Sequence, residues 1–429
     1  MREWCQLNEV AEINPDTLPG NTDNNFSFRY IHLGAVDRGT IDWNLTTVTR
    51  FGDAPSRARR IVQPGDTLFG TVRPNLQSHG YIEEKHNGAT VASTGFCVVR
   101  PYQAKAVGRY LFHSLMSESV YAQSIKAAIG SNYPAITDRD LQGFKIFLPR
   151  LDEQSQIAHI LDTLDTEIRR TEEIIAKLEQ VKQGLLTDLL TRGIDQNGEL
   201  RPSPEEAPHR YKDSPLGRIP KEWVLRRLSA LAETIIDGAH HTPAYSETGV
   251  PFLRVTDVQA EQIDLSAARR VSLSEHRQLA ARCAPRRGDI LLSKNGTVGI
   301  AKVVDWDWPF SIFVSLSLIR LRPDSGLKAD FAESVINSPV IAQQIARRSK
   351  QGTVTNLHLE EIREFDVPVP PKDEQDKIVD CVRYYRRRLG VERSRRRKLS
   401  AQKSGLMEDL LTGRVRVDPL LDEPERATG

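Results

Sequence analysis

The residues best suited to chemistry in this chain are few, and none completes a catalytic set. Methyl transfer to an exocyclic amine uses an (Asn/Asp)-Pro-Pro-(Tyr/Phe) element, but Pro370-Pro371 follows Val369 and precedes Lys372. A phosphate-cradling GxxxxGK(S/T) loop needs a lysine; Gly65 to Thr71 (GDTLFGT) has none, and Gly296 to Gly299 is a short turn. His240-His241 could ligate a metal, yet no HExxH pattern or carboxylate at ligand spacing accompanies them. Cys5, Cys97, Cys283 and Cys381 are scattered without a CxxC pair and read as reduced cytosolic thiols. The remaining chemistry is that of anion contact. Arg57, Arg59 and Arg60, then Arg282, Arg286 and Arg287, then Arg347, Arg348 and Lys350 form basic clusters, suited either to phosphates or to a solvated surface. The net charge of +2 does not decide between them.

The elements that carry these residues occur twice. Asp152-Glu153-Gln154 opens a run that closes on LLTDLLT at Leu185 to Thr191, and Asp373-Glu374-Gln375 opens another that closes on LMEDLLT at Leu406 to Thr412, both 221 positions later. So long a period excludes a solenoid or propeller unit and marks a duplicated module. Upstream the match is looser. Val36, Ile41 and Asp42 fall on Val258, Ile263 and Asp264; Gly65, Asp66 and Leu68 on Gly288, Asp289 and Leu291; Arg100 and Pro101 on Arg322 and Pro323; Phe144 and Pro149 on Phe365 and Pro370. Length and a 39% hydrophobic content suit two cores of about 150 residues each.

Each globular half reads as mixed α and β. Phe28 to Leu33, Asp66 to Val72 and Phe96 to Arg100 have strand character, as do Pro251 to Val255, Asp289 to Ser293 and Ser315 to Leu321. One helical stretch follows in each half, Val107 to Ala128 and Ala329 to Arg348, and a last strand enters Pro149 or Pro370. Beyond it, Ile157, Leu161, Leu164, Ile168, Thr171, Ile175, Leu178, Lys182, Leu185 and Leu189 step by four and three, and the second copy repeats the seam from Ile378 to Leu410. Forty helical residues span about 60 Å. Asp152 and Asp373 are the expected N-caps. Residues 152–191 carry nine acids and four bases, whereas 373–412 carry seven acids and eleven bases, so the two seams favour each other over self-pairing.

The proline-bounded strand into Asp-Glu-Gln, the heptad helix, the closing GLLTDLLTRG and GLMEDLLTGRV, and KDSPLGRIPKEW at Lys212 to Trp223 closely resemble the specificity subunit of type I restriction-modification systems. The resemblance covers nearly the whole chain, although the first domain begins at Glu3-Trp4 without the SPLGRIP lead-in. It implies an α+β fold with two target-recognition domains, a pseudo-two-fold internal repeat, and two long helices forming an antiparallel coiled coil that acts as a ruler. The expected layout is 1–150 first recognition domain, 151–192 first helix, 193–220 linker, 221–371 second recognition domain, 372–412 second helix and 413–429 tail. The implied partners are double-stranded DNA with a bipartite site and two methyltransferase (modification) subunits, to which restriction motor-nuclease subunits can add. This subunit itself is expected to hold no cofactor or metal; S-adenosylmethionine, ATP and magnesium belong to the partner subunits. With no signal-like start and no run of about 18 apolar residues, the expected setting is the cytoplasm, away from membranes.

Base reading then falls to loops, where Arg and Asn match guanine and adenine edges and hydroxyls suit phosphates. In the first domain the candidates are Arg73, Asn75, Gln77 and His79 after the Gly-Asp strand, and Ser131, Asn132 and Tyr133 before the last strand. In the second they are Lys294, Asn295 and Thr297, then Thr353, Thr355, Asn356 and His358, with Arg254 and Thr256. Asn295-Gly296 is also a tight-turn signal, and Asn132 or Asn356 can serve as local caps. Asp237 to Pro243 (DGAHHTP) resembles a loop common in such domains. The competing reading is a coiled-coil scaffold whose duplicated domains bind protein; an autonomous DNA enzyme is the least supported. The purified chain with labelled methyl donor and DNA should give background counts, and incorporation by the chain alone would contradict the non-catalytic reading.

Overall fold

The computed structural model describes residues 4–84, 87–259, 263–348 and 356–417. The chain divides into two compact units, residues 1–173 with 393–429, and residues 174–392. Each unit therefore holds one globular domain, part of the helix after it, and part of the other long helix.

In the first unit the strands are β1 (Trp4–Gln6), β2 (Ala11–Ile13), β3 (Ser27–Ile31), the hairpin β4 (Val36–Asp37) and β5 (Thr40–Ile41), β6 (Thr47–Arg50), β7 (Ala58–Val62), β8 (Thr67–Gly70), β9 (Gly80–Tyr81), β10 (Ala89–Ser93) and β11 (Phe96–Pro101). Helices α1 (Gly108–Leu115), α2 (Glu118–Ala127) and α3 (Asp138–Gln142) precede β12 (Lys145–Phe147) and α4 (Leu151–Thr191). Two sheets have the orders β6-β3-β10-β7 and β2-β11-β8-β9, and β1 pairs with β12. Strands β8 and β11 are buried on both faces, so they read as continuous apolar runs. Their alternation still sorts the faces. Leu68, Phe96 and Val98 join Ile31 and Ala92 on one side, while Phe69, Cys97 and Val99 join Leu111, Leu115 and Phe144 on the other.

The second unit repeats this plan. After the hairpin β13 (Tyr211–Ser214) and β14 (Gly217–Pro220) come β15 (Val224–Arg227), α5 (Leu228–Leu231), β16 (Ala232–Asp237), β17 (Tyr245–Ser246), β18 (Val250–Leu253), α6 (Val255–Val258), β19 (Arg269–Val271) and α7 (Leu273–Arg282). Then follow β20 (Ile290–Ser293), β21 (Ala301–Val303), β22 (Ser311–Ile312), β23 (Leu316–Leu321), α8 (Ala329–Ile336), α9 (Pro339–Arg348), α10 (Leu359–Arg363), β24 (Asp366–Val369) and α11 (Lys372–Leu410). Sheet β16-β23-β20-β21 matches β2-β11-β8-β9 in order, and β15 pairs with β24 as β1 pairs with β12. The stretch 193–220 is packed rather than loose: Ile194, Ala207, Tyr211 and Ile219 are all buried.

A set of polar bonds recurs at matching positions. Gln154 accepts from the backbone of Val107 (2.8 Å) and donates to the carbonyls of Pro149 and Lys105; Gln375 accepts from Lys328 (2.9 Å) and donates to Pro370 and Gly326. Gln123 exchanges two bonds with the backbone of Lys145, as Gln344 does with Asp366. Asp66 takes a two-pronged contact from Arg100 at 2.8 Å, and Asp289 takes one from Arg320 at 2.7 and 2.8 Å. The counterpart of Arg100 is thus Arg320, not Arg322, because the pairing aspartate fixes the strand register.

Three further expectations need correction. The helical stretches of both domains break at a serine: Ser117 and Ser338 each donate to a carbonyl three residues back at 2.6 Å, and a new helix starts. Asp152 and Asp373 lie inside the first turn, not at the cap. The first helical bonds run from Gln154 to the carbonyl of Arg150 (2.8 Å) and from Gln375 to that of Pro371 (3.0 Å). The seam is interrupted rather than continuous: Ile157, Leu161, Thr171, Leu189, Ile378, Val382, Leu389 and Leu410 are buried, whereas Arg396 is 47% exposed.

Within the first unit the helices run antiparallel. Asp165 meets Lys403, Glu167 meets Arg395 (3.1 Å), and Glu153, fully buried, is clasped by Arg416 at 2.6 Å through both oxygens. The second unit repeats the clasp. Glu374 binds Arg201 through both oxygens and accepts from the backbone of Ile194 (2.9 Å) and from Nε1 of Trp223 (3.1 Å). Gly193 sits at φ 71, and a Cβ there would lie 2.2 Å from Glu374, so only glycine admits this approach. Glu374→Leu strands a buried guanidinium and an indole N–H. The loss should be about 3–5 kcal/mol, seen in calorimetry as an unfolding temperature lower by roughly 10 °C; an unchanged temperature would contradict the clasp.

Candidate nucleic-acid interface

In the first domain the backbone draws the two predicted loops together. The N–H of Thr71 bonds to Gly95, that of Ile136 to Thr71, and that of Arg73 to Pro134 at 2.7 Å, while Val72 and Ile129 both bridge to Ala135. Arg73 and Gln77 flank the turn Pro74–Leu76, each at φ 51. Two non-glycine residues in the left-handed region are held there by the bonds around them, a concentration of strain found at functional loops. The Arg73 guanidinium lies 4.4 Å over the Tyr133 ring and reaches the carbonyl of Asn132. Stacking presets the planar fork without using its donors. Arg73, Asn75, Ser131, Asn132 and Tyr133 are exposed, Tyr133 at 69%, and Gln77 is half-buried.

His79 does not join them. It is buried, its Nδ1 accepts from the backbone of Gly70 at 3.0 Å, and its ring stacks on Phe69 with centroids 3.9 Å apart. Gly70 is required there, since a Cβ would meet the Ser78 carbonyl at 2.5 Å. His79 supports the loop from beneath and presents nothing to a duplex.

The second domain builds the same edge from different residues. The N–H of Lys294 bonds to Ser315 (3.0 Å), that of Leu357 to Lys294 (2.8 Å), and Asn295 bridges Asn356. Thr297, Asn356 and His358 are exposed, Asn295 is half-buried, and Gly296 at φ 76 completes the turn. His358 also stands at the start of α10, where its N–H bonds to Glu361 at 2.8 Å. Arg254 opens α6, with its N–H on Asp257 (2.7 Å), and Thr256 two residues on is exposed. Thr353 and Thr355 lie outside the described residues. Lys294, like His79, does not face outward: its ammonium is buried against Asp237 at 2.9 Å, away from any external phosphate.

The edges also take in Arg57 and the Asp237 to Pro243 loop, both singled out in the sequence. In the first domain Thr94 donates to the carbonyl of Arg57 (2.7 Å), and in the second Val314 donates to that of Ala239 (2.9 Å), so exposed Arg57 and the His240-His241 loop border the same edges. His240 pairs with Arg282 (3.1 Å) and His241 with Glu275 (3.2 Å). The ligand-spaced group among the described residues is elsewhere, His113, Asp162 and Asp165 in the first unit. Burial opposes ionisation of Asp162, but bonds from His113 and Arg109 and the charge of Arg109 outweigh it and hold the carboxyl down at about 2. Arg109 and Lys403 already balance these carboxylates, which makes the group an ion-pair network rather than a metal centre.

Burial pushes His79 down to about 3 from 6.5. The unfolded chain therefore takes up a proton that folded His79 refuses. Its contribution to stability is complete above pH 6.5 and is lost as the pH falls towards about 3. An NMR titration should leave the His79 ring neutral through pH 5, and a ring that protonates near pH 6.5 would place it on the surface instead.

Comparison with known proteins bears on these edges. A family model described as Type I restriction modification DNA specificity domain matches residues 3–180 and 220–400. The type I restriction enzyme MjaVIII specificity subunit of Methanocaldococcus jannaschii is 23% identical, over 72% of this chain and 71% of its own. The EcoBI specificity subunit of Escherichia coli is 25% identical, over 66% of this chain and 60% of its own. A solved chain from work on complex assembly and conformational transition of the type I R-M system has the same fold, at 22% identity and a TM-score of 0.57, with 96% of this chain and 98% of that one aligned. With both halves matched by the family model in the order that the repeat demands, the chain belongs to the type I restriction modification DNA specificity domain family.

Proposed function

We propose that this chain is the DNA-specificity subunit of a type I restriction-modification complex, with residues 1–150 reading one half of a bipartite site and residues 221–371 the other. Helices α4 and α11 set the spacing and dock two methyltransferase subunits, and a restriction motor-nuclease is a further possible partner. S-adenosylmethionine, ATP and magnesium act on those partners, in the cytoplasm. Among the described residues no helix is long and apolar enough to cross a membrane.

One observation carries the reading. The same backbone bonds, Thr71 to Gly95 and Lys294 to Ser315, present loops of unlike sequence at matching edges. A constant frame with variable tips is what two readers of different half-sites require. In the first domain Arg73, Asn75, Asn132 and Tyr133 supply the forked, amide and aromatic groups that recognise base edges; in the second Asn295, Thr297, Asn356 and His358 do so. Serine and threonine hydroxyls at the rims suit phosphates.

Exchange of residues 1–150 for the matching domain of a relative should change one half-site of the methylated target and leave the other half and the gap intact. Methylation sequencing reads the outcome. A swap that alters both halves together would contradict independent reading.

A further inference from the structure

The end of sheet β16-β23-β20-β21 holds a polar group that no surface role explains. Lys294 and Asp237 are both buried and pair at 2.9 Å, and Ser317, with no exposure, donates to the other oxygen of Asp237 at 3.1 Å. Strand pairing places them together: Asp237 stands opposite Ser317 between β16 and β23, and Leu292 stands opposite Ser317 between β20 and β23. One step beyond this point the loops of the edge leave the sheet. Gly238 and Ala239 start the His240-His241 loop, and a Cβ at Gly238 would meet the Ile312 carbonyl at 2.2 Å, so that exit is tightly fitted. The backbone of Lys294 is bonded to Ser315 on one side and to Leu357 on the other, and Ser315 Oγ accepts from Val255 at 3.2 Å, next to Arg254. A single residue thus touches, through side chain or backbone, the loops bearing His240, Asn295, Ser315 and Asn356.

We propose that Lys294 and Asp237 are positioning residues for base discrimination by the second domain: the buried pair fastens four loops in one arrangement and touches no DNA itself. The inference rests on the reading of this edge as a DNA interface. The first domain does the same work with other groups. Thr71 occupies the place of Lys294 in the backbone pattern, and the side chain of Asp138 is held by Asn14 (2.7 Å), Cys97 (2.9 Å) and Arg60 (3.3 Å), tying the start of α3 to strands β7 and β11. A lysine that contacts phosphate and a lysine that positions loops leave different signatures. Loss of the former weakens binding to all sequences and lowers the salt slope by about one. Loss of the latter leaves the salt slope alone and blurs discrimination.

The test uses the complex of this chain with its modification subunits, a pool of randomised bipartite duplexes, and the variants Lys294→Met and Asp237→Leu/Lys294→Met. Lys294→Met should flatten preference at the second half-site by about tenfold per specified pair, leave the first half-site as it was, and keep the wild-type salt slope. The double variant removes the fastening without leaving a lone buried charge, and should regain thermal stability but not the second half-site preference. If Lys294→Met fails to fold, the double variant alone decides, and an intact second-site preference in its folded complex would overturn the proposal. So would a lowered salt slope with uniform weakening, or an unchanged preference in Lys294→Met. Absence of any half-site preference in the wild-type complex would instead refute the DNA reading itself.

Discussion

Each long helix is joined to its domain by a buried carboxylate and a buried amide that follow the proline ending the last strand. Glu153 and Glu374 are almost without solvent contact, as are Gln154 and Gln375. A buried carboxylate is costly unless its oxygens are filled. Both glutamates meet that demand with an arginine and a backbone N–H from the segment that follows the other helix: Arg416 and Val417 for Glu153, Arg201 and Ile194 for Glu374. The amides turn inward and close the chain around residues 105–107 and 326–328. The orientation of helix to domain, the start of the heptad seam and the place where each domain ends all follow from these few bonds.

From that junction the frame spreads by repetition. Asp66 with Arg100 and Asp289 with Arg320 brace the central strands, and Gln123 and Gln344 hold the edge strand beside the helix. Where the two domains differ, they differ at the far end of the sheets. The first uses left-handed Arg73 and Gln77, a stacked tyrosine and a buried histidine; the second uses a glycine turn and a buried ion pair. Within each unit the framing bonds are shared and the tips are not, which lets recognition change without redesign of the core.

The repeat and the long helices were legible because they rest on a constant offset and on periodicity, and the six quoted strands because they are apolar or alternating runs between turn residues. Burial of single polar side chains was not. His79 and Lys294 have the types expected at a DNA surface, and only the contact with Phe69 or Asp237, distant in sequence, reveals that they face inward. The match of Arg100 to Arg322 failed for a similar reason: Arg-Pro identity aligned the letters, whereas the aspartate partner selects Arg320. Helix starts misled because Asp is favoured both at the cap and in the first turn. The breaks at Ser117 and Ser338 carried a visible signal, a serine ahead of a helix-forming run, that the surrounding apolar pattern masked. The left-handed backbone at Arg73 had none.

The central claim is that two separate edges read two separate blocks of sequence. Its most direct measurement is selection by the assembled complex from duplexes randomised over a window wider than both sites together. The account predicts two short specified blocks divided by a gap of fixed length and free sequence. One continuous block, or selection without sequence preference, would contradict it.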